Sequence, residues 1–138
     1  MSCYYPTYKA TNGEYGPATR NRKYKPQPYH SFKAKPRPNK TRWKINASGE
    51  YEVFRQACDG NWIDENEALL SQHEGCECEL GKNGERLAFF PKTKNVSDPW
   101  HGYPIPSTLI KDNIVFDLWF KQERISEATY KRLLRRKL

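Results

Sequence analysis

Before residue 45 the sequence is almost without aliphatic side chains: of its 24 Leu, Ile, Val and Phe residues, only Phe32 lies in that stretch. A segment so poor in apolar groups does not close a core by itself. The other 23 fall within residues 45–138, a small supply for one domain. Trp43, Trp62, Trp100 and Trp119 add to it. Aromatic rings therefore carry much of the burial, at roughly 150–250 Å² each.

Other absences narrow the function classes. No apolar run approaches the ~20 residues of a membrane span, and Met1-Ser2-Cys3-Tyr4-Tyr5-Pro6 lacks the basic-then-apolar order of a secretory signal. The expectation is a soluble protein of the cytoplasm, with no membrane partner. Four cysteines are too few for a disulfide scaffold, and Cys76 and Cys78, one residue apart, are poorly spaced to bridge. There is no Walker-type loop, no Gly-x-Gly-x-x-Gly fingerprint, no nucleophile elbow and no His-Glu-x-x-His. The familiar small-molecule enzymes lose ground accordingly.

Positive charge is abundant and arranged in blocks. The net +8 divides into eleven Lys/Arg against Glu14 alone in residues 1–44, five against eleven acidic residues in 45–100, and eight against four in 101–138. Such segregation suits a polyanionic partner at the two ends, and equally suits a basic arm lying across the protein's own acidic middle.

Residues 1–40 read as that arm. Tyrosines alternate with lysine and arginine, and Pro26, Pro28, Pro36 and Pro38 favour extended, polyproline-like backbone. Cations that neutralise phosphates, interleaved with rings that stack on bases, are the pattern of a nucleic-acid-binding segment. The candidate contacts are Arg20, Arg22, Lys23, Lys25, Lys33, Lys35 and Arg37, with Tyr24, Tyr29 and Trp43 as stacking platforms. The plainer alternative is a tail pinned by its tyrosines to its own domain.

Residues 41–138 read as one small α+β domain with an antiparallel sheet of three to four strands, two or three helices and a C-terminal helix pair. Alternation predicts a hairpin over Arg42–Gln56, turning at Asn46-Ala47-Ser48-Gly49. Asp64 is placed to cap a short helix through Gln72. Gly81-Lys82-Asn83-Gly84 predicts a tight turn between two strands, the second entering Phe89-Phe90-Pro91. Apolar residues at 114, 115, 118 and 119 predict a helix, and Ser126 caps a last one, with Tyr130, Leu133 and Leu134 as its buried stripe and Ile125 opposite Tyr130 as a hydrophobic staple.

Three constellations could carry chemistry. The first lies in the loop Phe89–Pro106, dense in aromatics and prolines, where His101 is a candidate general acid or base, Asp98 a partner for its tautomer, and Tyr103 a neighbour. A metal-independent ribonuclease would need a second histidine or a cation for the phosphate, and His30 and His73 are distant in sequence. The plainer reading is a rigid connector whose Trp100 and Tyr103 lock the C-terminal helices onto the sheet. The second is a zinc site from Cys58, His73, Cys76 and Cys78, donors that suit the metal at a spacing that does not. Free buried thiols are the preferred reading over zinc, and Asp59, Asp64, Glu65, Glu67 and Glu74 of the acidic middle could hold Mg²⁺ but stand at no diagnostic spacing. The third is the basic end of the last helix, Arg132, Arg135 and Arg136, whose charge sits at the wrong end for major-groove readout but suits phosphate contact or the helix dipole.

The leading expectation is a noncatalytic binding protein that engages nucleic acid or an acidic protein through the arm and the C-terminal helix. A small toxin-like nuclease using His101, and an accessory or inhibitor protein acting through its acidic middle, are the alternatives. Nothing in the sequence fixes an oligomeric state.

Overall fold

The Asn46 side-chain oxygen accepts a hydrogen bond from the Gly49 amide at 2.9 Å and so caps a helix, α1 (Ala47–Gly60). The computed structural model describes residues 3–138. The expected hairpin over Arg42–Gln56 is thereby corrected. Asn46-Ala47-Ser48-Gly49 does change the chain's direction, but as a cap followed by the acidic Glu50 of a first turn. Val53, Phe54, Ala57 and Cys58 then recur at helical spacing and are all buried. Asn61, in the left-handed region at φ 55°, ends the helix.

The expected helix over Asp64–Gln72 is also absent. Asp64 turns its Oδ1 back to the amides of Asn66 and Ala68, and Glu67 takes φ 64°, so the chain reverses instead of coiling. It then enters a strand, β3 (Leu69–Ser71), buried along its whole length. This strand pairs antiparallel with β4 (Leu87–Phe90), and β4 pairs antiparallel with β5 (Tyr103–Ile105) in the order β3-β4-β5. The Gly81–Gly84 turn forms as expected, closed by the Gly84 amide on the Gly81 carbonyl at 3.1 Å. Residues 76–80, however, form no strand.

The first part of the chain adds a second small sheet, β1 (Tyr15–Ala18) antiparallel to β2 (Arg22–Tyr24). Three α-helices and two small antiparallel sheets make the described residues an α+β fold. Phe54 of α1 meets Phe90 of β4 at 5.2 Å between ring centroids and Tyr24 of β2 at 5.2 Å. Both sheets thus pack on α1, and rings, as the composition demands, form the contact.

The segment 3–40 docks on the protein itself; Met1 and Ser2 of the expected arm lie outside the described residues. Tyr24 donates from its hydroxyl to Glu50 at 2.7 Å, Tyr8 donates to Glu52 at 2.7 Å, and Thr19 donates to Asp59. These partners belong to the acidic middle, all on α1. Cys3 is disulfide-bonded to Cys78, 75 residues away, a bridge the cysteine spacing did not suggest. It ties down a strap whose Tyr5 ring stacks on His73 at 4.2 Å.

At the other end, α2 (Ile114–Lys121) and α3 (Glu127–Leu134) form the expected pair, with Ser126 capping α3 through the Thr129 amide at 3.1 Å. Leu133 is fully buried, Tyr130 stacks on Phe120 at 4.4 Å, and Leu134 stays largely exposed. Trp62 and Trp119, edge to face at 5.5 Å, lock the pair to the end of α1, and Trp62 Nε1 donates to Gln122 at 3.0 Å. Trp100, expected in that role, packs on Phe54 instead.

Two predictions test this frame. Burial raises Glu50 from the usual carboxylate range to about 8, outweighing the Tyr24 hydroxyl that favours its ionised form. A folded-state pKa above the unfolded one stabilises below the unfolded value, and that stability drains away as pH climbs to the folded value. Urea unfolding is therefore expected to show stability falling between about pH 4.5 and 8 by on the order of 4 kcal/mol, a slope that Glu50→Gln removes. Separately, reducing the Cys3–Cys78 bridge is expected to lower stability by about 2–4 kcal/mol, read as a lower urea midpoint with reductant than without.

Candidate polyanion and histidine cleft

The loop between β4 and β5 is held at both of its ends. Phe90 closes β4, and ten residues later the Trp100 amide donates to the Lys23 carbonyl at 2.7 Å while the Lys25 amide donates to the Trp100 carbonyl at 2.9 Å. This bridge, parallel in sense between Tyr24 and Trp100, fastens the loop beside β2. His101 extends the same edge: its Nδ1 lies 2.8 Å from the Lys25 carbonyl. Because a carbonyl only accepts, Nδ1 carries the proton and Nε2 is left with the lone pair in the neutral ring. Gly102 follows because a Cβ there would fall 2.1 Å from the Phe90 ring.

His30 arrives from the opposite side of the sequence. It ends the short 3-10 turn Pro28–His30, and its Nδ1 lies 2.6 Å from the Thr41 carbonyl. Its ring stacks on Tyr103 at 5.0 Å, and the Trp43 amide donates to its carbonyl at 2.7 Å. Thr41 in turn donates to the Pro104 carbonyl at 2.6 Å, which fixes this segment on β5. Burial, with Lys40 close by, lowers the His30 pKa from its ordinary value, against the raising effect of the Thr41 carbonyl.

The two histidines line one cleft of about 560 Å³. Lys40, Lys92, Lys94, Tyr29, Asp98 and Tyr103 line it too. A second cleft of about 450 Å³ adjoins it, shares Lys92, Thr93 and Lys94, and adds Arg20, Arg22 and Trp100. Arg22 stacks its guanidinium over the Trp100 ring at 5.4 Å. Five Lys/Arg side chains thus line the two clefts, Lys92 and Lys94 from the loop itself. Asp98 and Glu67 are the acidic residues of the two linings, and both are engaged: Asp98 accepts from the Asn95 amide and side chain, and Glu67 pairs with Lys92 at 2.6 Å.

The sequence candidates divide on this geometry. His101, Asp98 and Tyr103 share the cleft, but the Lys25 carbonyl, and not Asp98, sets the His101 tautomer. Arg20, Arg22 and Tyr29 are at the clefts. Lys23 is exposed on β2 and Lys25 just beyond its end, and Lys33, Lys35 and Arg37 are on the segment after it, all outside both linings. Tyr24 and Trp43 are 0% exposed, so neither presents a ring face to a base; burial in the aromatic core explains their presence. Arg136 donates to the carbonyls of Ile110, Leu133 and Asp112 and covers the Phe116 ring at 5.0 Å, which makes it a clasp for the C-terminus. Arg132 donates to the Lys137 carbonyl, and Arg135 is exposed.

The four expected zinc donors do not assemble. Cys78 is bonded to Cys3. His73 is occupied at both nitrogens, accepting from Gln56 at 3.0 Å on Nδ1 and donating to the Tyr4 carbonyl at 2.7 Å from Nε2. Cys58 and Cys76 are buried free thiols, pushed by burial up to about 11 and about 12. Among the described residues, no group of three or more His, Cys, Asp or Glu is placed to hold a metal ion.

Lys40, Lys92, Lys94 and His30 were missed as site residues in the sequence. Lys92 and Lys94 stand within the aromatic loop itself, but the acidic balance of residues 45–100 hides them. No family model, curated protein or solved structure matches the chain. Among the described residues, no helix is long and apolar enough to cross a membrane.

The tautomers are directly measurable. Long-range proton–nitrogen correlation spectra at a pH where all three rings are neutral are expected to show His30 and His101 protonated at Nδ1, and His73 protonated at Nε2.

Proposed function

We propose that the protein binds single-stranded nucleic acid across the two adjoining clefts. The observation that carries this reading is that Arg20, Arg22, Lys40, Lys92 and Lys94 line the two clefts against two acidic residues, of which Glu67 pairs with Lys92 and Asp98 is held by Asn95. Cations gathered along a groove track a phosphate backbone, and the partly exposed Tyr29 and Tyr103 offer ring surface to bases. The reading keeps the basic, aromatic chemistry expected of residues 1–40 but moves its centre to the β4–β5 loop. An acidic protein is the competing partner.

Binding through the protein's own acidic middle has less support, because Glu50 and Glu52 are buried and Asp59 is paired with Arg55 and Thr19. As to location, the Cys3–Cys78 bridge favours an oxidising compartment over the cytosol expected from the sequence.

The test is affinity for a labelled single-stranded DNA oligonucleotide as a function of salt. A slope of about −3 in log affinity against log salt is expected, at ~0.7 per phosphate contact. The double substitution Lys92→Glu with Lys94→Glu should reduce the slope by at least about 1 unit, whereas Lys35→Ala should leave it nearly unchanged. Affinity that stays flat from low to moderate salt removes the reading, and preferential capture of acidic peptides transfers the site to the competing partner.

A further inference from the structure

We propose that the cleft shared by His30 and His101 cleaves RNA by transesterification, with the two imidazoles as the proton-transfer pair and the lysines as the phosphate clamp. This rests on the nucleic-acid reading above and adds to it a chemical step and a requirement for ribose.

The argument begins with the nitrogens. Each ring spends Nδ1 on a main-chain carbonyl, Thr41 for His30 and Lys25 for His101. Neither Nε2 has a hydrogen-bond partner among the described residues. Polar side-chain atoms sealed from solvent without a partner are Tyr5 Oη, Arg22 Nη1, Trp43 Nε1 and Trp119 Nε1. His30 Nε2 is not one of them; the residue is 5% exposed and lines the cleft, and Nε2 is its ring nitrogen left without a partner. An imidazole fixed at one nitrogen by a carbonyl and open at the other is oriented for proton transfer through the open one.

The environments of the two rings differ in the way the roles require. His30 is stacked on Tyr103, with the Tyr29 ring tilted against it and Lys40 beside it, and is held toward its neutral form, which suits the base. His101 is half-buried on the rim of the loop, where water can return a proton to it after each turnover, which suits the acid. In the step, the ribose 2′-oxygen forms a bond to the adjacent phosphorus and the bond from phosphorus to O5′ breaks. The 2′-hydroxyl proton passes to Nε2 of His30, and Nε2 of His101 delivers a proton to O5′. The products are a 2′,3′-cyclic phosphate and a 5′-hydroxyl, and no electron leaves or enters. Lys40, Lys92 and Lys94 supply the positive charge that the phosphorane develops against.

Asparagine is the informative replacement, because its amide nitrogen occupies the place of Nδ1 and preserves the bond to the carbonyl while removing Nε2. The experiment incubates the full chain, under non-reducing conditions with EDTA present, with a fluorescent RNA oligonucleotide and with its all-deoxy counterpart. Expected are RNA fragments ending in 2′,3′-cyclic phosphate, intact DNA, and a rate at least about 10²-fold lower in His101→Asn and in His30→Asn. Thermal melting should be unchanged in His101→Asn, which sits in a surface loop and so stands as the decisive variant should His30→Asn fold poorly. Wild-type protein that binds the deoxy oligonucleotide but leaves RNA intact overturns the cleavage proposal alone. So does cleavage that His101→Asn retains in full. Absence of salt-dependent binding overturns both this proposal and the reading beneath it.

Discussion

Two backbone hydrogen bonds, between Trp100 and the chain at the end of β2, hold this molecule's two clefts together. The Trp100 amide on the Lys23 carbonyl, and the Lys25 amide on the Trp100 carbonyl, join the small N-terminal sheet to a loop that belongs to the other sheet. The whole arrangement of the clefts depends on that seam. It seats Trp100 on Phe54 and under Arg22, turns His101 toward the Lys25 carbonyl, and carries Lys92 and Lys94 to the basic side chains of residues 20–40. At Trp100 both backbone groups are thereby satisfied where a free loop would leave them to water.

Much of the internal electrostatics serves the same junction between early and middle segments. Tyr8, Thr19 and Tyr24 each bring a hydroxyl to a carboxylate of α1. Glu52 accepts from Tyr8, Arg55 and Gln56, and its pKa stays below the usual value because these bonds outweigh its burial. Glu50, with one phenol for company, goes the other way. Two glutamates two residues apart on one helix thus shift in opposite directions, decided by how many donors reach each.

The class of fold was legible in the sequence, and so was the C-terminal pair, because Ser126 and the spacing of residues 114–119 are local signals that tertiary context did not overrule. The middle is harder to read because there a local pattern serves two structures. Tyr51 and Val53 alternate as a strand would, yet once Asn46 caps a helix the whole run 49–54 is buried, on every side of it. Ala68 to Ser71 resembles the end of a helix, but a run buried at every position suits a strand covered on both faces. The histidine of the aromatic loop was visible as a candidate. Its partner was not, because nothing local brings His30 within reach of residue 101; that proximity comes from the Tyr103 stack and the Thr41 and Trp100 hydrogen bonds, all of which are long-range. Tyr24 and Trp43 show the converse error, since a ring beside cations reads as a stacking platform until its burial is known.

The disulfide divides the chain in a way the secondary structure does not. Joining Cys3 to Cys78 makes residues 3–78 a closed covalent ring, and that ring contains β2, His30, Lys40 and α1. Lys92, Lys94, His101 and Tyr103 lie on the linear remainder. Each cleft is therefore a seam between a ring and a tail, closed by stacking and hydrogen bonds alone. A backbone cut in the exposed stretch of residues 35–40 would leave the ring open but its pieces still joined, so the half of the cleft that carries His30 stays tethered to the half that carries His101.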